Sequence, residues 1–364
     1  MSQHSIDLTV FLVVVALRLG VPLFVPRFPL PAMIAAMLID AADQTIFQRF
    51  THLDLTNYQG YDKALDVYYL SIAYLSTMRN WANMTAFRTS RFLYFYRMVG
   101  VLLFELLHIR AILLIFPNTF EYFFDFYEAV RLRWNPVRMT KHLVIGAAAF
   151  IWIFIKLPQE YWIHVAQLDT TDLIKEYPIA AATIAIVAIV ALIAAYKIVW
   201  PKLPPKEWDL EFDVDKRPDI TMDQMKQERL SSAERFWDSM LVEKVALVAM
   251  IAIIFGKVLP DVQVSDLQLA LGVAVLIAAN TLVSHWFTRR GRDWSTISAE
   301  FVAMAAVNAG LAVAAYYILP HTDDSIDLGA TLFFLLLLTL IVVMYDRYHP
   351  RYLARLGGAA PASA

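Results

Sequence analysis

The feature that most constrains this chain is a succession of apolar runs, each about as long as the hydrocarbon core of a bilayer is thick. Residues 178–200, PIAAATIAIVAIVALIAAYKIVW, carry a single charge at Lys197. A stretch like this has nowhere to satisfy its backbone polar groups except within itself, so it crosses lipid as a helix. Ten runs qualify, near 8–26, 30–48, 60–78, 92–116, 142–163, 178–200, 241–259, 267–287, 298–319 and 328–345. Of the 364 residues, 59% are apolar and only 18% charged, and mean hydropathy is +0.53. Soluble domains run to about 45–50% apolar and 25% charged. The expectation is an all-α polytopic membrane protein with about ten transmembrane helices, in which the first run is a retained span and not a signal peptide.

Lys and Arg in the short loops set the expected orientation. Arg289, Arg290 and Arg292, and the tail with Arg347, Arg351 and Arg355, are basic, which makes the tail cytoplasmic. Ten spans then put the N-terminus and the loop with Arg131, Arg133, Arg138 and Lys141 on the same side, and a bacterial inner membrane is the expected location. Arg79, Arg88 and Arg91 disagree with that count, because it leaves them outside. The chain divides into a six-span core (1–200), a charged cytoplasmic linker (201–240) read as a solvated connector, a four-span extension (241–346) and a cytoplasmic tail (347–364). Small residues in the last spans suit tight helix packing or a homodimer. A net charge of −2 leaves no attraction to nucleic acid, and the absence of Cys excludes thiolate chemistry.

Chemistry concentrates in IDAADQTIFQRFTHLDLTNYQGYDKALDVYY, residues 39–69. Asp40 and Asp43 are three apart, and Asp62 and Asp66 four apart, so each pair projects from one helix face. Four carboxylates gathered at a membrane boundary repel one another unless cations are bound, and all-oxygen sites select hard ions such as Mg²⁺ or Mn²⁺. Lys63, beside Asp62, offers a different neutralising charge. Paired carboxylates of this kind also serve simply as helix caps that meet water.

The spacing of the four Asp resembles the CDP-alcohol phosphotransferase family, whose pattern is D-x2-D-G-x2-A-R-x8-9-G-x3-D-x3-D. Gln44, Phe47, Gln48 and Tyr58 stand at its four other positions. The resemblance implies a six-span core with metal held by Asp40, Asp43, Asp62 and Asp66. It also implies that Asp66 is the general base, taking a proton from an acceptor hydroxyl. Arg131, Arg133, Arg138 and Lys141 are then candidates to hold an acceptor's phosphate. Gln44 and Tyr58 fill space that the family leaves open, so a cytidine nucleotide is not expected to bind. The expected function is a divergent metal-dependent phosphotransferase acting on a lipid-linked or small alcohol at the cytoplasmic face. The alternative is a transporter or scaffold subunit that retains the fold without the chemistry.

Other polar residues are read as structural. Glu105 and His108, with Arg97 and Arg110, form an internal ion-pair network in a continuous fourth span, and the aromatic stretch 121–134 is an interfacial amphipathic helix. Scattered His argue against haem. Acidic pairs that both lie within 27 residues argue against a UbiA-type prenyltransferase, where the two motifs lie on well-separated helices.

Overall fold

A computed structural model describes residues 3–52, 58–166, 176–216, 239–258, 277, 301–310 and 328–358. Among these the elements are helical throughout and none is a strand. The helices are α1 (Gln3–Gly20), α2 (Pro29–Phe50), α3 (Tyr58–Asn80), α4 (Met84–Leu107), α5 (Ala111–Ile115), α6 (Thr119–Arg131), α7 (Lys141–Val165), α8 (Pro178–Val199), α9 (Ser239–Val258), α10 (Phe301–Gly310) and α11 (Leu328–Gly358). Four are long and apolar enough to cross a membrane: Ser5–Phe24, Pro29–Phe50, Lys141–Val165 and Phe333–Leu353. The expected span near 267–287 lies outside the described residues except for Ile277, and the one near 298–319 is described only over α10.

The third expected span behaves differently from the others. α3 is surrounded by α1, α2, α4, α9 and α11, and nearly every residue from Ala64 to Trp81 is buried. Its neighbours are protein, so it can carry hydroxyls provided that each finds a partner. Ser71 meets the Tyr94 hydroxyl at 2.7 Å, Tyr74 donates to Glu243 at 2.5 Å, and Asn80 donates to the Pro26 carbonyl at 3.0 Å. The low hydropathy of this run therefore marks the centre of the bundle.

The fourth expected span, 92–116, is two elements. α4 begins earlier, capped by Asn83 accepting from Ala86 N, and stops at His108, whose left-handed backbone (φ 56°) turns the chain back. His108 thus ends a helix; it is not placed inside one. After the turn, α5 and Phe116 lie along α4. Phe116 packs directly on Gly100, where any Cβ would collide with it. α6 then completes the return. Its Phe120, Phe123, Phe124 and Tyr127 are fully buried, Tyr127 stacking on Trp81 at 3.8 Å between ring centroids. The amphipathic stretch expected at the membrane surface is a core helix, with Glu121 and Glu128 turned to protein partners.

α7 stays helical for 25 residues with two π-helical stretches, Ile151–Lys156 and Tyr161–Val165. Pro158 has no N–H to give to the preceding turn, which accounts for the widened ladder next to it. Large apolar side chains on α1, α7 and α8 point outward, among them Leu12, Phe154 and Ile184. On helices this long, such exposure is what a lipid surround requires.

The expected solvated linker is, as far as Lys216, bound to the bundle. Glu207 N donates to the Arg133 carbonyl at 2.9 Å, Trp208 Nε1 to the Arg131 carbonyl at 3.0 Å, and Val214 N to the Arg27 carbonyl at 3.0 Å. Arg27 holds Asp213 at 2.9 Å, and Arg79 pairs with Asp215. Residues 217–238 lie outside the described residues. The hydrogen bonds from Arg27 hold the Asp213 carboxyl below its ordinary range. A lowered folded-state pKa stabilises docking above the unfolded value near 4, and that contribution is lost as pH falls through the lowered value. The segment should stay bound at neutral pH and loosen below about pH 4, read as faster amide exchange at Val214. Asp213→Asn should loosen it at neutral pH; unchanged exchange there would assign docking to the Asp215, Glu207, Trp208 and backbone contacts instead.

Candidate metal centre

Asp40 and Asp43 lie midway along α2, and Asp62 and Asp66 near the start of antiparallel α3. Their spacing turns each pair toward the other helix, and α1 closes the third side. The side chain of Arg18 reaches into the gap from α1. Its Nη1 donates to Asp43 and Asp62, and its Nη2 to Asp40 and, at 2.7 Å, to Asp66. One guanidinium thus touches all four carboxylates. Arg18 and Asp43 are buried, each with 2% of its side chain exposed, whereas Asp40, Asp62 and Asp66 are 28–39% exposed. The cluster is therefore closed at Asp43 and open at the other three.

Arg18 is the site residue that sequence reasoning missed. The signal was present: a lone Arg in the apolar run VVVALRLG, where an intramembrane charge marks a function or a buried partner. Lys63, the neutralising charge the sequence suggested, is engaged elsewhere, 3.1 Å from Glu105 and over the Phe104 ring.

The donor set fits a hard cation. Asp40, Asp62 and Asp66 each offer a carboxylate oxygen, and the three lie within 4.8 Å of one another. The Arg18 guanidinium contacts all three, so a positive charge is already accommodated among them. At the positions where the resembled family carries Ala and Arg, Phe47 is fully buried against Val14 of α1 and Gln48 is exposed.

The structure does not bring the basic residues to this site. Arg131 pairs with Glu128 at 2.8 Å, Arg138 with Glu207 at 3.2 Å, and the Arg133 carbonyl accepts from Glu207. Lys141 begins α7. All four belong with Trp81, Asn83 and Pro136, at the Asn80 end of α3. Asp62 and Asp66 are 14–18 residues away along that helix, or about 21–27 Å. The reason is the α5–α6 return, which carries the chain back along α4. It moves the 131–141 loop to the end of the bundle that also holds Arg27, Arg79, Arg88 and Arg91.

The same return leaves the start of α1 and the described end of α11 at opposite ends of the bundle. Asp7, near the start of α1, lies 3.9 Å from His52 beyond α2, while Tyr348 of α11 packs under Arg79 at the other end.

A second polar cluster lies close by, joined to α3 through Tyr69. Glu121 accepts from Tyr69 Oη at 2.8 Å, Asn118 Nδ2 at 2.9 Å and Lys156 Nζ at 3.2 Å. Glu160 accepts from Asn118 N at 2.9 Å and pairs with His164 and Arg97. Lys156 ends the first π-helical stretch of α7, and Glu160 ends the α-helical turn that separates it from the second. Glu105 and His108 therefore share no network: Arg97 belongs to this cluster and Glu105 to Lys63. Compared with models of known families, with curated proteins and with solved structures, the chain matches none.

Proposed function

We propose that the chain is a divalent-cation-dependent membrane enzyme of the phosphotransferase type, working at the Asp40–Asp43–Asp62–Asp66 cluster. The observation that carries this reading is that Asp40, Asp62 and Asp66, from two helices, each offer a carboxylate oxygen within 4.8 Å of the others. Mg²⁺ or Mn²⁺ is the proposed ion, held by Asp40, Asp62 and Asp66, with Arg18 withdrawn. Bound there, it would neutralise charge on a phosphate or diphosphate. Asp43 keeps its buried place and lines the closed side. Asp66, more exposed, is the proposed base that accepts a proton from an acceptor hydroxyl.

The topology modifies the expected substrate side. With the end rich in Arg and Lys facing the cytoplasm, the carboxylates belong to the opposite half of the bilayer and the N-terminus to the outer side. About ten crossings, with α5–α6 as one more, complete the proposed membrane topology. A site so placed suits a lipid-linked phosphate donor and a lipid-linked or small alcohol acceptor. It does not suit a soluble nucleotide, which agrees with Gln44 and Tyr58 at the positions that admit CDP.

The second reading, a transporter or scaffold subunit, is favoured by Arg18 itself, since a built-in guanidinium balances the carboxylates without metal. Thermal unfolding in detergent separates the two. A cation at a hundred times its dissociation constant stabilises the fold by about 2.7 kcal/mol. Wild type should shift upward with Mn²⁺ or Mg²⁺, and Asp43→Asn with Asp62→Asn should abolish the shift. A wild type indifferent to metal, together with Asp→Asn variants of raised stability, would sink the enzyme reading in favour of the second.

A further inference from the structure

The basic end of the bundle holds a groove about 510 Å³ in volume between α4 and α7, remote from the carboxylates. Arg88 and Lys141 stand at its mouth with the hydroxyl-bearing Thr85 and Thr89. Both cations are exposed, and neither has an ion-pair partner among the described residues, whereas Arg91 nearby is paired with Glu243 at 2.8 Å. α4 and α7 both begin here, behind the caps Asn83 and Thr140, so two positive helix ends add to the same potential.

Beyond the mouth the groove is apolar. Phe92 and Trp152 form its wall, 6.4 Å apart between ring centroids, and Ala149 leaves room on the α7 side. From Lys141 to Trp152 the wall runs 11 residues, about 16 Å of helix, along a face whose Ile145 and Phe92 point outward. A second groove of about 610 Å³ shares Arg88 and Phe92 with it.

A soluble phosphate would use the cations and leave the wall idle; a bare hydrocarbon would do the reverse. We propose that this groove binds an anionic phospholipid of the surrounding bilayer, its phosphate between Arg88 and Lys141 and one chain lying along Phe92, Ala149 and Trp152. Unpaired cations at a membrane interface draw anionic headgroups, and basic pockets between helices are where such lipids lodge. The site is independent of the metal reading, because it shares no residue with the carboxylate cluster.

The test compares the full-length protein in detergent micelles doped with phosphatidylglycerol or with phosphatidylcholine. Phosphatidylglycerol should raise the unfolding temperature and phosphatidylcholine should not. Removing both cations, in Arg88→Gln with Lys141→Gln, should weaken the phosphatidylglycerol response about thirtyfold in concentration. Ala149→Trp, which fills the groove and leaves the charges alone, should abolish it. Reading each variant as the difference between the two lipids removes any change in its basal stability. Inorganic phosphate reproducing the shift would reduce the site to a simple anion site and overturn the proposal. So would an equal loss in Lys202→Gln, an exposed cation outside the groove, or equal responses to the two lipids.

Discussion

Replacing Arg18 with Gln should destabilise the metal-free protein by about 3–5 kcal/mol, the usual cost of removing one partner from a buried ion network. Gln supplies one amide group in place of a guanidinium that reaches Asp40, Asp43, Asp62 and Asp66 together. Asp43 bears most of the loss, because its side chain is as buried as that of Arg18 and water cannot replace the missing charge. The same substitution should strengthen the response to Mn²⁺, since the bound cation no longer has to displace a guanidinium. Unfolding scans with a chelator and with Mn²⁺ give both numbers. A loss of stability that metal fails to restore would make Arg18 a fixed structural counter-ion; an unchanged stability would mean that the four carboxylates never shared it.

A loss of similar size is expected for Lys156→Met. Lys156 Nζ lies 3.2 Å from Glu121 Oε2 and 3.8 Å from the Tyr122 ring centroid, with both charged side chains buried. Removing the ammonium leaves Glu121 with only the Tyr69 hydroxyl and the Asn118 amide. The cost should again be about 3–5 kcal/mol, and adding Glu121→Gln should recover much of it, because a neutral pair needs no counter-charge. Chemical unfolding of the two single variants and the double variant closes the cycle. Additive losses would show that the two residues act separately.

These two clusters also mark where the sequence stops being informative. Apolar runs made the all-helical class legible, and helical spacing made each Asp pair legible. That Arg18 meets carboxylates 22 to 48 residues later follows from α1 packing beside α2 and α3, which no local pattern encodes. α6 shows a different loss. Its spacing correctly announces one apolar and one acidic face, yet spacing cannot say whether the acidic face meets water or partners. Here Glu121 meets Tyr69 and Lys156, and Glu128 meets Trp81 and Arg131. The α4 break at His108 was hidden because the residue has no strong turn preference; only its left-handed backbone shows it. The docking of 201–216 escaped for a related reason. Charge runs look solvated until a complementary end such as Arg27 and Arg79 lies opposite.

The position of α3 has a consequence for biogenesis. α11, which covers one of its faces, begins at Leu328, some 250 residues after Asn80 ends α3. At roughly 5–20 residues per second, a ribosome takes about 12–50 s to make the intervening chain. Throughout that interval Tyr74 lacks Glu243 for part of the time and Arg79 lacks Tyr348 for all of it. The nascent protein must therefore hold a helix too polar for free lipid inside a half-built bundle, and membrane insertion of this chain becomes a question of what shelters α3 until its last neighbours arrive.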